Sequence, residues 1–284
     1  MIANPEKERL AQAFVDDMAQ QLAAQGVSWV EDGVACDIVV SRESSVDSIR
    51  EQLVNDYRLS TIDWIVQPAA NRQKKLLVAD MESTIITCEC LDELAELVGI
   101  RDKITAITAR AMNGELDFAA ALSERVGLLK GLPESSLQKI MDKKVRLMPG
   151  ARELVSTMKK QGAYTMLVSG GFDFFTSRIA AMLGFDEHRS NRLDIENGKL
   201  TGRVIPPILG KEAKLQALKD ACQKLGITPD DVLAVGDGAN DLPMLLEAGL
   251  GVAYHAKPAV RAEVKARIDH ADLRALLYAQ GYRG

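Results

Sequence analysis

Three short apolar runs in this sequence are each followed directly by a polar residue that could take part in catalysis. Asp80, Ser169 and Asp237 occupy these positions. Asp241 follows shortly after Asp237, and Lys214 precedes that pair. Ligands of an open α/β sheet gather beyond the carboxyl ends of its parallel strands, so we expect these side chains in one cleft. Aspartates beside a lysine suit phosphoryl transfer, because a phosphate ester repels a carboxylate nucleophile unless cations lie between them.

Asp80 is the candidate nucleophile of this reaction. Its carboxylate would attack phosphorus and become transiently phosphorylated, which divides one difficult hydrolysis into two easier steps. The carboxylates of Asp80 and Asp237 are the hard oxygen ligands that Mg²⁺ prefers, and the ion would offset their repulsion of the phosphate. We expect Asp241 to bind the ion, directly or through water, and also to orient Lys214. The ammonium of Lys214 would screen the charge that develops in the transition state.

Further groups in the same segments could bind phosphate and move protons. Ser169 and the backbone N–H groups of Gly170 and Gly171 can donate to phosphate oxygens, since glycine lets the backbone approach closely. Glu82 lies two residues after Asp80. We expect Glu82 to protonate the leaving alkoxide and then to activate the water that cleaves the intermediate.

Together these segments resemble the haloacid dehalogenase (HAD) superfamily, whose phosphatases carry an Asp-x-Asp-x-Thr loop, a Ser or Thr, a Lys and a Gly-Asp-x-x-x-Asp element. The resemblance covers nearly all of the chain from Lys75 onwards. One departure is that Glu82 stands where most members have Asp, on an arm longer by one methylene. The resemblance also implies that the main-chain carbonyl of Glu82 joins Asp80, Asp237 and Asp241 around the metal.

Within the superfamily, residues 89–95 and 122–133 are similar to segments of phosphoserine phosphatases. That resemblance implies that Glu89 pairs with the substrate ammonium and Arg125 with its carboxylate, where a planar guanidinium can make two parallel contacts. It also implies an apolar wall that excludes water. The implied substrate-binding set is Glu89, Met112, Phe118, Arg125, Ser169, Gly170, Gly171 and Asn240. Taken singly, these residues also have structural interpretations: Glu89 and Arg125 as helix charges, Met112 and Phe118 as core residues.

A parallel sheet must position these segments. Continuous apolar runs, typical of strands buried on both faces, cover 76–79, 164–168, 232–236 and 249–254. Helical stretches separate them, which predicts an α/β fold with a doubly wound parallel sheet. The HAD resemblance implies that this sheet has the Rossmannoid form of that superfamily. The interval between the first two runs far exceeds one crossover helix, so we interpret about 88–147 as an inserted helical cap. Asn197-Gly198 predicts a β-hairpin over 191–205.

Residues 1–73 are predicted to form a small α+β domain that precedes a phosphatase domain at 74–284. The pattern predicts, in order, a helix over 6–24, a hairpin over 27–40, a helix capped by Ser44 or Ser45 and running to Leu53, and a strand over 62–66. The first domain is similar to a regulatory amino-acid-binding (ACT) module. We favour a purely structural or dimerising role for it, which would be compatible with a homodimer.

Composition restricts the class of protein. The chain of 284 residues is 47% hydrophobic and 26% charged, and its net charge of −5 argues against a nucleic-acid partner. The sequence shows neither a membrane span nor the pattern of a signal peptide, so we expect a cytoplasmic protein with no membrane partner. The spacing of Cys88 and Cys90 disfavours zinc. The lack of a P-loop and of a dinucleotide fingerprint disfavours a kinase or dehydrogenase.

These inferences combine into one expected activity. It is the Mg²⁺-dependent hydrolysis of O-phospho-L-serine by a phosphoric monoester hydrolase, the last step of L-serine biosynthesis. One alternative keeps the chemistry but acts on another phosphorylated amino acid, or transfers the phosphoryl group to an alcohol. A second alternative is a metabolite sensor in which residues 1–73 bind an amino acid and the catalytic unit is degraded.

Overall fold

The computed structural model describes residues 1–41, 45–56, 61–112 and 115–283, and of the side chains in these ranges it leaves out those of 54–56 and 112. Strands in this part of the chain form one sheet of four strands and one of seven. None of the helices in these ranges is both long enough and apolar enough to cross a membrane.

The smaller sheet is built from the first 63 residues. Its elements are β1 Ile2–Ala3, α1 Gln12–Gln21, β2 Gly26–Glu31, β3 Ala35–Val39, α2 Val46–Asp56 and β4 Ile62–Asp63. The strand order is β2-β3-β1-β4, and all neighbours are antiparallel. This βαββαβ arrangement is the split β-α-β motif found in many small domains. The predicted alternation of helices and strands is confirmed, while the ACT-type role and the division at residue 73 stay predictions.

One helix and one strand of this N-terminal unit are shorter than the sequence predicts. The first helix begins at Gln12, because the preceding residues wrap the edge of the sheet, where Leu10 N–H donates to Gly33 C=O at 2.8 Å. β4 ends at Asp63 because its partner β1 has two residues. Ser45 Oγ accepts a hydrogen bond from Ser48 N–H at 3.0 Å near the start of α2. The alternative cap, Ser44, lies outside the described residues.

The larger sheet carries the strands that the apolar runs predict. Its strands are β5 Leu76–Ala79, β6 Tyr164–Phe172, β7 Glu187–Glu196, β8 Lys199–Ile205, β9 Val232–Gly236, β10 Leu250–Tyr254 and β11 Ala266–Ile268. The order is β11-β10-β9-β5-β6-β7-β8, with β8 antiparallel to β7 and the other pairs parallel. The chain proceeds from β5 outward on one side and returns through β9 on the other. This confirms the doubly wound sheet and places its switch point at the end of β5.

Helices cover the sheet and fill the predicted insertion. They are α3 Cys90–Leu97, α4 Arg101–Met112, α5 Phe118–Gly127, α6 Ser135–Lys143, α7 Ala151–Lys160, α8 Asp173–Leu183, α9 Lys211–Leu225, α10 Leu242–Glu247, α11 Pro258–Glu263 and α12 Ala275–Ala279. Helices α3 to α6 lie in the segment 88–147 between β5 and β6, and we call this segment the helical insertion. The insertion is tied to the β7–β8 hairpin, since Gly131 N–H donates to Leu200 C=O at 2.8 Å.

Two strands differ from the prediction in ways that matter for the site. β6 does not end at residue 168 but continues to Phe172, with a register shift against β7 between Val168 and Phe172. A bulge of this kind re-aims a strand without ending it. β7 begins at Glu187 and pairs with β6 before it turns into the hairpin, so the predicted hairpin is also part of the main sheet. Strand β11 and helix α12 are not predicted from the sequence.

The smaller sheet packs against the C-terminal part of the larger unit. Ile2, Val34 and Ala35 are buried in one apolar cluster with residues of α12. Asp63 accepts backbone hydrogen bonds from Asp269 at 2.7 Å and Ala271 at 2.8 Å. Buried carboxylates need such partners, so the two units meet through a satisfied polar and apolar interface.

Candidate active site

A buried lysine between two aspartates forms the centre of the site. Asp80 directly follows β5, Lys214 lies in the first turn of α9, and Asp241 lies at the start of α10. Lys214 Nζ lies 2.6 Å from Asp80 Oδ1 and 2.5 Å from Asp241 Oδ1, and the lysine side chain is 2% exposed. Burial opposes the charge on Lys214, but Asp241 and Asp80 outweigh it and raise the lysine pKa. The ammonium is therefore held charged beside Asp80.

Three buried aspartates in this centre offer oxygen atoms to one point. Ligand atoms of Asp80, Asp237 and Asp241 lie within 4.8 Å of one another. Burial raises the pKa of Asp237 to about 6. Burial, and then the Asp241 charge, raise the pKa of Asp80 well above its usual range despite Lys214. Carboxylates that are crowded and desolvated in this way are stabilised as anions by a cation, and hard oxygen donors suit a hard divalent ion. The donor set therefore fits a metal of that class.

Local backbone geometry fixes the two C-terminal aspartates. Gly238 N–H donates to Asp241 Oδ2 at 2.9 Å. A Cβ at Gly236 would lie 2.5 Å from Asp241 Cγ, so glycine is required where the strand passes this side chain. Thr84 Oγ1, four residues after Asp80, donates to Asp237 Oδ1 at 3.4 Å. The Gly-Asp-x-x-x-Asp element thus folds back on itself and holds both carboxylates toward the end of β5.

Glu82 bridges the β5 loop and the helical insertion. Its Oε1 accepts a hydrogen bond from Cys90 N–H, the first residue of α3, at 2.7 Å. A Cβ on residue 171 would lie 2.8 Å from Glu82 Oε2, which is too close. The position of the Glu82 side chain therefore requires glycine at 171. Burial and then the Glu89 charge raise the pKa of Glu82 to about 7. A carboxyl group balanced near neutral pH is suited to give and take protons.

The serine of the second segment lies buried in the bulge of β6. Ser169 is 2% exposed, and its Oγ accepts a hydrogen bond from Gly171 N–H at 2.9 Å. One of the N–H groups predicted to bind phosphate is therefore engaged within its own loop in this structure. The phosphate-binding roles of Ser169, Gly170 and Gly171 stay predictions.

The helical insertion brings an acid and a base toward this centre. Glu89 Oε1 accepts a hydrogen bond from Ser83 Oγ at 2.7 Å. Arg125 Nε donates to Ala121 C=O of its own helix at 3.2 Å. Burial lowers the pKa of Arg125, while the charges of Asp92, Glu82 and Glu89 oppose that shift. Arg125 is thus half-buried within electrostatic reach of the acids at the β5 loop.

Two of the remaining predicted residues, Phe118 and Asn240, lie close to glycines of the serine and aspartate segments. The ring of Phe118 lies against the main chain at Gly170. Asn240 is half-buried, and its side chain folds over Gly238. Met112 ends α4, but its side chain lies outside the described part of the structure. Lys211, three residues before Lys214, is exposed on the surface and pairs with Glu212, so it lies apart from the buried cluster.

The profile of haloacid dehalogenase-like hydrolases matches residues 77–246, more than half of the chain. This chain belongs to that family. The matched region includes the aspartates, the serine and the lysine that meet at the end of β5. The buried cluster of this HAD-like hydrolase therefore lies within the region that the family profile matches.

Relatives of this HAD-like hydrolase are phosphoserine phosphatases. One from Archaeoglobus fulgidus is 43% identical over 215 residues, which are 75% of this chain and 62% of the relative. The match thus spans less than two thirds of that relative's length. Another, from Albidiferax ferrireducens, is 47% identical over 208 residues, which are 72% of this chain and 88% of the relative.

Solved structures are similar over two different extents. A HAD family hydrolase from Salmonella enterica subsp. enterica serovar Typhi is 32% identical and covers 95% of this chain and 96% of its own, with a TM-score of 0.87. A phosphoserine phosphatase in the form of a phospho-aspartyl intermediate analogue is 39% identical, with a TM-score of 0.67. It covers 72% of this chain and 98% of its own. The first likeness includes the N-terminal sheet of the HAD-like hydrolase.

Two residues near the site of this HAD-like hydrolase were missed by the sequence analysis. Lys257 Nζ lies 3.5 Å from Asp237 Oδ2, and its side chain is 58% exposed. It follows β10 closely, so the strand-end rule that found Asp237 could also have found it. Asn191 is 1% exposed, and its side chain bonds the main chain at Gly170 and Leu209. No local sequence pattern predicts the role of Asn191, because its partners come from two segments distant from it in sequence.

Proposed function

We propose that this HAD-like hydrolase is a phosphoserine phosphatase, which hydrolyses O-phospho-L-serine to L-serine and phosphate. The observation that carries the proposal is that an acid, Glu89, and a base, Arg125, lie in the helical insertion beside the Lys214 and aspartate cluster. Phosphoserine has an ammonium and a carboxylate besides its phosphate, so this combination of charges complements it. The phosphoserine phosphatases among its relatives support the same substrate.

Mg²⁺ is the cation proposed for this cluster. Asp80, Asp237 and Asp241, with the main-chain carbonyl of Glu82, would hold it. When bound, it supplies positive charge that offsets the repulsion between the phosphate and these carboxylates. The oxygen-only donor set favours Mg²⁺ over softer metals such as zinc.

The side chains around Asp80 suit a carboxylate nucleophile. Lys214 bonds Oδ1 of Asp80, which leaves Oδ2 for attack on phosphorus. The new bond joins Asp80 Oδ2 to phosphorus, while the bond from phosphorus to the serine oxygen breaks. Glu82 gives its proton to that leaving oxygen. A solved phospho-aspartyl intermediate analogue of a phosphoserine phosphatase supports this first half-reaction.

The second half-reaction restores the enzyme. A water molecule attacks the phosphorus of phospho-Asp80, and Glu82 accepts the proton that this water loses. The bond between phosphorus and Asp80 Oδ2 breaks, which releases inorganic phosphate and returns the carboxylate. A group with a pKa of about 7 can serve both as the acid and as the base, because both protonation states are populated at neutral pH.

Recognition of the substrate is assigned to the helical insertion. Glu89 would pair with the ammonium of phosphoserine, and Arg125 with its carboxylate, through charge-assisted hydrogen bonds. Arg125 bonds a carbonyl of its own helix through Nε, so its two terminal nitrogens can still take a carboxylate. Phe118 closes the apolar side of the site against Gly170 and limits the entry of water.

A substrate panel tests this proposal. Phosphate release would be measured with Mg²⁺ on phosphoserine, phosphothreonine, phosphoethanolamine and glycerol phosphate. We expect the largest kcat/KM with phosphoserine. An equal response to all four esters would contradict the substrate assignment. A parallel reaction with homoserine as acceptor distinguishes hydrolysis from phosphoryl transfer, since transfer would form phosphohomoserine.

A further inference from the structure

Asn191 occupies an unusual place for an amide side chain. It lies in β7 where that strand leaves its pairing with β6, opposite Phe172 at the end of the bulge. Its side chain is 1% exposed. A buried amide destabilises the fold unless its donors and acceptor form hydrogen bonds. The partners of Asn191 therefore show which segments it connects.

Those partners are main-chain groups from the two segments that carry Ser169 and Lys214. Asn191 Nδ2 donates to Gly170 C=O at 2.8 Å and to Leu209 C=O at 3.2 Å. Its Oδ1 accepts from Leu209 N–H at 2.7 Å. Gly170 is adjacent to Ser169, and Leu209 leads into α9, which carries Lys214. One side chain therefore joins the serine loop to the segment that delivers the lysine.

The helical insertion contacts both of the joined segments through one ring. A Cβ at Gly170 would lie 3.3 Å from Phe118 Cζ, and a Cβ at Gly210 would lie 3.2 Å from Phe118 Cδ1. Both distances from the hypothetical Cβ atoms are shorter than ordinary van der Waals contact. The Phe118 ring therefore packs directly against the glycine backbone at both positions. We call the surface formed by Gly170 and Gly210 the glycine slot.

We propose that Asn191 is a positioning residue that holds the glycine slot at the spacing Phe118 requires. In this way it aligns the serine loop and Lys214 with the phosphoryl group when the helical insertion is seated. This inference rests on the proposed function for its substrate, but its geometry does not depend on phosphoserine. Misplacement of a catalytic group by about 1 Å can lower a rate by roughly a hundredfold, so loss of these three bonds should be measurable.

The test combines one binding probe with kinetics. Beryllofluoride with Mg²⁺ mimics a phosphoryl group on an aspartate, and its affinity would be measured by calorimetry alongside that of Mg²⁺ alone. For Asn191→Ala we expect at least about tenfold weaker beryllofluoride binding and a kcat on phosphoserine lower by about ten- to a hundredfold. Affinity for Mg²⁺ should stay within about twofold, since Asn191 contacts none of Asp80, Asp237 and Asp241 among the bonds described.

Matched variants keep the test decisive. Thr201→Ala removes a hydrogen bond to Asp194 in the same hairpin, away from the site, and should leave all three measurements unchanged. Gly210→Ala preserves the bonds of Asn191 but adds a methyl against Phe118, so it should raise KM. It also serves if Asn191→Ala does not fold. In a double-mutant cycle, Asn191→Ala and Phe118→Leu should be non-additive in kcat/KM.

Particular outcomes would overturn the inference. They are a lower melting temperature of Asn191→Ala with unchanged beryllofluoride affinity and kcat, additive losses in the cycle, or an unchanged KM in Gly210→Ala. Failure of the proposed function is distinguishable from these. A wild-type protein that binds beryllofluoride but does not hydrolyse phosphoserine would refute the substrate, while the effect of Asn191→Ala on beryllofluoride would still decide the positioning role.

Discussion

The carboxyl end of the larger sheet, where Asp80, Lys214 and Asp241 meet, is called the sheet edge below. The sheet edge and the helical insertion hold their charges in different ways. At the sheet edge, the buried Lys214 is bonded to two aspartates at 2.6 and 2.5 Å. In the insertion, Glu89 is bonded to a serine hydroxyl and Arg125 to a carbonyl of its own helix. Charges that are already paired are preorganised, whereas charges with neutral partners can exchange them for a ligand. Under the proposed function, the sheet edge carries out the reaction and the insertion selects the substrate.

The largest effect is expected at the sheet edge. Asp80→Asn removes the proposed nucleophile and one carboxylate of the proposed metal site, so kcat on every phosphate ester should fall at least about a thousandfold. Lys214 keeps its bond to Asp241, so the fold should survive, which circular dichroism and the melting temperature would check. Asp220→Asn, an exposed change on α9, is the matched control. Residual turnover above about one percent in Asp80→Asn would assign the nucleophile elsewhere.

Much of this sheet edge could be predicted from the sequence. Asp80 and Asp237 follow runs that have no polar residue, and parallel strands buried on both faces read as such runs. The order of these runs along the chain was sufficient to expect one cleft. The acid and base of the insertion could not be derived in this way. They came from a family resemblance. Strand ends indicate where side chains meet in a parallel sheet, but helices α3 to α6 carry no comparable marker.

Other features could not be predicted, because they depend on segments that are distant in sequence. Asn191 bonds two main-chain segments that precede and follow it, and no single window contains both. Likewise, the bulge in β6 depends on its pairing with β7, so the apolar run alone suggested an end at residue 168. The partner of Glu82 was also hidden, since a side chain's length does not show that it reaches the start of α3.

The next effect tests the residue that links the two regions. Glu82→Gln keeps the hydrogen bond to Cys90 N–H but cannot exchange a proton, so kcat should fall by about a hundredfold or more. Glu82→Asp keeps the proton but shortens the arm that reaches Cys90, so we expect a smaller loss, about tenfold. Steady-state kinetics of both variants on phosphoserine measures this ranking. If Asp reduces kcat as much as Gln does, reach and not proton transfer is the limiting property.

A change in the insertion should affect binding and depend on the substrate. Arg125→Ala removes a charged donor, which is worth about 1.5–3 kcal/mol, so KM for phosphoserine should rise by about ten- to a hundredfold. Phosphoethanolamine lacks the carboxylate, and its KM should change little. Arg110→Ala, an exposed change in α4 that breaks an ion pair with Glu124, is the control. An equal rise for both substrates would show that Arg125 supports the fold of the insertion and not the choice of substrate.

The smallest effect is expected where the two regions meet at the surface. Lys257 is 58% exposed and lies 3.5 Å from Asp237, so its electrostatic contribution should be below about 1 kcal/mol. Because its charge repels a metal ion and attracts a phosphate, Lys257→Met should have opposite effects on the two. We expect Mg²⁺ affinity to rise up to about fivefold and KM for phosphoserine to rise by a similar factor. Calorimetry and kinetics at low salt would measure both, with Lys211→Met as an exposed control paired to Glu212. If Lys257→Met weakened the binding of both Mg²⁺ and phosphoserine, the role of Lys257 would be to hold Asp237 in position. Lys257 would then belong with the preorganised charges of the sheet edge.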